Sequence, residues 1–65
     1  MPAEDMDRLQ RLLPHWIEHS LEHAETYRQW ASTARNSGDE ATAERLERAA
    51  SLTEEIAAVL RIAMR

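Results

Sequence analysis

A single glycine punctuates this 65-residue chain. Gly38 stands in Asn36-Ser37-Gly38-Asp39, the one cluster of turn residues between two long segments that lack Gly and, from residue 3 on, contain no Pro but Pro14. That punctuation predicts an all-α helical hairpin in one domain, 1–65. The first helix is expected over about 5–36, the turn over 36–39 and the second helix over about 40–64. Gly38 suits the left-handed position that ends a helix, and Asp39 can cap the next one, with Glu40 and Glu44 near its positive end. Ser37 with Glu40 makes a rival capping box. Pro14 is the local conflict, because a proline inside a helix loses one hydrogen bond and crowds the preceding turn. It predicts either a short leading helix followed by a main one, or one helix kinked at Pro14.

The apolar residues recur at helical spacing. In the first segment Leu9, Leu13, Trp16, Ser20, His23, Tyr27, Trp30 and Ala34 alternate steps of four and three, the pattern of a coiled-coil seam. A second row, Leu13, Ile17, Leu21, Ala24 and Ala31, broadens that face. The second segment repeats the pattern with Leu46, Ala49, Thr53, Ile56, Leu60 and Ala63, flanked by Leu52 and Val59. Two helices with faces this broad cannot cover each other. The expectation is that hairpins pair into an antiparallel four-helix bundle, as a homodimer or higher homo-oligomer, with Trp16, Tyr27, Trp30, Leu13, Ile56 and Leu60 in the core and interface.

Size makes the same demand. A chain this short buries only about 60% of the surface it exposes when unfolded, and a core of that size supplies ~3–5 kcal/mol. With no cysteine, neither a disulfide nor a thiolate zinc site is available. Self-association and a metal held by imidazole and carboxylate remain as staples.

Charge narrows the partners. Eight basic residues, all Arg and spread along the chain, face twelve acidic ones, so the net charge is -4 and no basic cluster exists to neutralise phosphates. Nucleic-acid binding is not expected. No apolar run is long enough for membrane insertion or a signal peptide, which makes the cytoplasm the default location.

The chemistry-bearing residues sit in one stretch. His15, His19 and His23 are four apart, so a helix stacks them in a drifting stripe that starts on a solvated flank and ends near the seam. Glu22 borders it. Imidazoles four apart can share one divalent ion, and Glu22, three after His19, adds a carboxylate. The candidate metal ligands are therefore His19, His23, His15 and Glu22, with open coordination positions. The same stretch twice matches the inverted zinc-peptidase pattern His-x-x-Glu-His. A peptidase also needs a distant third ligand, an oxyanion stabiliser and a cleft, which a hairpin of this size does not offer. Binding rather than turnover is expected, and no catalytic residue is assigned. Glu44, Glu47, Glu54 and Glu55 read as a solvated face paired with Arg45, Arg48 and Arg61.

The run Leu12-Leu13-Pro14-His15-Trp16-Ile17-Glu18-His19, followed by Glu22-His23-Ala24, Tyr27, Arg28, Trp30 and Ala31, resembles small prokaryotic helical proteins, some of them associated with nickel or cobalt handling. The likeness covers about a third of the chain. It implies a divalent transition metal, with nickel or cobalt favoured over zinc or iron, and a metal-handling protein as a possible partner. A weaker similarity, through Glu22-His23-Ala24 and Trp30, is to encapsulated-ferritin-like hairpins, which build a metal site from two chains. Di-iron helices place a Glu three before the ligand His. Here Leu12, Trp16 and Ser20 stand at those positions.

Three readings follow. The first is a metal-binding homodimer that senses, stores or delivers a divalent ion. The second is a metal-free oligomerisation or adaptor module that docks a partner helix. The third is ferritin-like iron oxidation, which the missing Glu-x-x-His pair disfavours.

Overall fold

The computed structural model describes residues 3–65 and consists of two helices, α1 (Ala3–Asn36) and α2 (Glu40–Ala63). They form an antiparallel hairpin, a rod 53 Å long and 14 by 13 Å across at the level of the Cα atoms. Among the described residues there is no strand, and no helix is long and apolar enough to cross a membrane.

The turn is built as its residues dictate. Gly38 has φ +86°, the left-handed region open to glycine. Its N–H donates to the Arg35 carbonyl at 3.0 Å, and the Asp39 N–H reaches back to the Ala34 carbonyl at 2.9 Å. These two bonds are the Schellman arrangement, which satisfies carbonyls that the end of α1 would otherwise leave free. Asp39 then caps α2, its carboxylate accepting from the Thr42 N–H at 3.0 Å and from the Thr42 hydroxyl at 2.7 Å. The rival capping box does not form. Ser37 turns its hydroxyl to the Thr33 carbonyl, and Glu40 is engaged by Arg35.

Pro14 does not break α1, which runs unbroken from Ala3 to Asn36. The ring is exposed and stays out of the seam, lining a groove with Ile17, Leu21, Arg61 and Met64. At the open end of the rod, Gln10 ties the arms together, donating to the Ala63 carbonyl at 3.0 Å and accepting from the Arg65 N–H at 2.9 Å.

Between the helices runs a seam of heptads, but not the expected one. Its members, all buried or half-buried, are Leu13, Ile17, Ser20, Ala24, Tyr27, Ala31 and Ala34 on α1 and Ala43, Leu46, Ala50, Thr53, Ala57 and Leu60 on α2, with Met6, Leu9, Gln10, Thr42, Glu47, Ala49 and Ser51 half-buried around them. Both rows alternate steps of three and four. Trp16, His23 and Trp30, read from sequence as seam residues, are exposed, and so is Ile56. Ile17, Ala24 and Ala31, expected only in the second row, take the central places of the former three; on α2 Ala50 and Ala57 are the buried members, with Ala49 half-buried beside them. The reason is size. Alanine at every seventh position of α2, facing Ala24 and Ala31, lets the backbones approach closely, whereas an indole in that row would hold them apart.

Candidate metal-binding site

Ion pairs close one side of the hairpin. Arg28 pairs with Glu54, and Arg35 donates Nη2 to Glu47 at 2.8 Å and Nε to both Glu40 carboxylate oxygens at 3.0 Å. These bridges join the helices, in place of the pairing within α2 read from sequence. Glu47 first and Glu40 second raise the pKa of Arg35 above its ordinary value. Arg35 in turn holds the Glu47 carboxyl below the usual carboxylate range.

The opposite side carries no such closure. By the 100° helical step, the flank of α1 away from Arg28 and Arg35 presents Leu12, Trp16, His19, His23 and Trp30. The flank of α2 away from Glu47 and Glu54 presents Ala49, Leu52, Ile56 and Val59. Arg28 and Glu54 share one side of the rod, so these two flanks share the other. Their large apolar members are open to solvent: Trp30 is 59% exposed, Ile56 53% and Val59 65%. Leu52, Ile56, Val59 and Leu60, with Glu55 at the rim, line an apolar groove of about 360 Å³.

The His stripe runs along the margin of this open side. The rings of His15 and His19 stand edge to face with centroids 4.7 Å apart. His23 follows at 6.2 Å from His19, and Tyr27 stacks beyond it at 6.1 Å, nearly parallel. All three imidazoles are exposed. Sequence spacing found this ladder, whose three members all follow Pro14 on one unbroken stretch of α1. What it missed is Tyr27 as the fourth ring, whose four-residue step from His23 was the available signal.

Glu22 lines a groove shared by both arms of the hairpin, with Pro14, Ile17, Glu18, Leu21, Glu25, Arg61 and Met64. Among the described residues, no three His, Asp or Glu side chains of one chain gather in a group able to hold a metal ion. Of the residues expected at the interface, Leu13 is buried in the seam, Tyr27 and Leu60 are half-buried beside it, and Trp16, Trp30 and Ile56 lie on the open side.

No curated protein and no solved structure matches this chain. A family model described as a domain of unknown function, DUF8180, matches residues 9–65, which takes in the His stripe, the turn and all of α2. With most of its length inside that match, the chain belongs to the DUF8180 family.

Proposed function

We propose that this protein is a small metal-binding helical bundle in which two hairpins pair through the open side and the His stripe supplies ligands for a divalent transition metal. The observation that supports it is the ladder of His15, His19 and His23, exposed and in step beside an uncovered apolar face. Imidazole suits nickel, cobalt, zinc and iron alike, and the resemblance of the His15–Ala24 stretch favours nickel or cobalt. The role that fits is sensing, storage or delivery of the ion.

Pairing is supported by what one chain buries. Its buried side chains are Leu13, Ile17 and five alanines, while Leu12, Trp16, Trp30, Leu52, Ile56 and Val59 remain outside. An apolar surface of this extent on a small protein marks an interaction site.

Titration calorimetry of tag-free protein with Ni²⁺, Co²⁺ and Zn²⁺ tests the reading. Binding tighter than about 100 µM, about 5.5 kcal/mol, that is lost on replacing His19 and His23 together is the expected result. Absence of binding at that level overturns it. The metal-free module is then the better reading, favoured by the open apolar face itself, and it requires the same double variant to keep its oligomeric state and melting temperature.

A further inference from the structure

The exposed side of α1 carries a second heptad row that the hairpin does not use. Leu12, Trp16, His19, His23, Thr26 and Trp30 alternate steps of four and three, and every one of them is exposed. A row at this spacing is the sequence requirement for packing against one more helix. Its order is symmetric about Leu21: Leu12 answers Trp30, Trp16 answers Thr26, and His19 answers His23. An antiparallel helix pair matches residues equidistant from its centre, so a second copy of α1 running the other way sets His19 against the partner's His23.

The centre of the row coincides with the centre of the rod. Gln10 bonded to Ala63 sets the register of the arms, and in that register Leu21 is level with Leu52, near the middle of α2. A two-fold axis maps the midpoint of a self-complementary patch onto itself, so copies paired about Leu21 overlap along nearly the whole rod. The area is adequate. A face 53 Å by 14 Å at the Cα atoms has a projected area on the order of 740 Å² per copy, the same order as the ~800 Å² of accessible surface each partner buries in a stable interface of standard size.

We infer that the metal site is shared by two antiparallel copies of this chain, with His19 and His23 of each supplying four imidazoles around one ion at the two-fold axis. This rests on the metal-binding reading above and adds the partner that completes the site. It is consistent with there being no three-ligand group among the described residues of one chain. Four nitrogen ligands around one late first-row divalent ion form a complete set. His15 lies outside the paired row and is not a ligand, although its ring is nearest to His19.

Two measurements test it together. The first is the stoichiometry of Ni²⁺ or Zn²⁺ by native mass spectrometry on the wild type and on His15→Ala, His19→Ala and His23→Ala. One ion per two chains is expected, abolished by either of the last two changes, each of which removes two ligands, and unchanged by His15→Ala. One ion per chain, or loss of binding in His15→Ala to the same extent as in His19→Ala, overturns the shared site while leaving metal binding intact. The second is a spin-label distance between Ser37→Cys residues, the chain having no other cysteine. Antiparallel copies hold the two turns apart by about the length of the 53 Å rod, whereas copies with both turns at one end bring the labels close and overturn the arrangement. Absence of any metal binding overturns this inference and the reading beneath it alike.

Discussion

Arg35 and Glu47, twelve residues apart across the turn, are joined by two hydrogen bonds, Nη2 to Oε1 at 2.8 Å and Nη1 to Oε2 at 3.3 Å. The pair holds the Glu47 carboxyl below its ordinary pKa, and the hydroxyl and N–H of Thr42 do the same for Asp39. A carboxyl depressed in the folded state stabilises the fold above its unfolded pKa, and that stabilisation is lost as pH falls through the folded value. The turn end of the hairpin should therefore loosen in acid, below the ordinary carboxylate range, and be indifferent to pH near neutrality. Amide exchange at Gly38 and Asp39 followed from pH 6 downward measures this. Combining Glu47→Gln with Asp39→Asn should flatten the acid dependence there, and an unchanged profile would contradict the assignment.

Gly38→Ala isolates the backbone. A Cβ at this position meets nothing within 4 Å, so no clash contributes and the only cost is the left-handed conformation. That cost is about 1–2 kcal/mol, and at 4–8 °C per kcal/mol for a domain of this size the melting temperature should fall by roughly 5–15 °C. Gly38→Asn should fall less, since asparagine tolerates that region better.

The alanine seam gives a test of register. Ala50 is fully buried against α1, whereas Ala58 is exposed. Ala50→Leu should cost about 1–3 kcal/mol by overpacking, while Ala58→Leu should stay within about 0.5 kcal/mol of wild type. Equal effects in thermal or urea unfolding would mean that the helices meet on a different face.

Much of this was legible in the sequence. The hairpin, its boundaries, the left-handed Gly38 and the Asp39 cap follow from a few residues with strong backbone preferences, which act locally. The seam was not so easily read. Two rows on α1, both at three- and four-residue spacing, share Leu13, Ser20, Tyr27 and Ala34, and hydrophobicity favoured the row with the tryptophans. Side-chain volume decides instead, and it is a property of both helices at once. Glu22, placed beside His19 by its three-residue spacing, lines the groove that also holds Arg61, a neighbour the spacing alone does not reveal.

Self-association through the open side predicts that stability rises with protein concentration. Trp30→Glu with Ile56→Glu places charge in that face and should give a monomer by sedimentation equilibrium, with a melting temperature that no longer depends on concentration. Both residues are exposed in the single chain, so the hairpin itself should keep its helical signal. A concentration-dependent melting temperature in that double variant would place the contact elsewhere.

The alanines at 43, 50 and 57 carry a consequence for how such a chain can acquire or change an activity. Two backbones drawn together along their whole length leave almost no inside, and trimming a core side chain cannot open a chamber where there was hardly any side chain to trim. New chemistry has to be written on the outer faces, where residues are free to vary without unsettling the hairpin. A recess deep enough to enclose an ion or a small molecule then arises only by setting one hairpin against another.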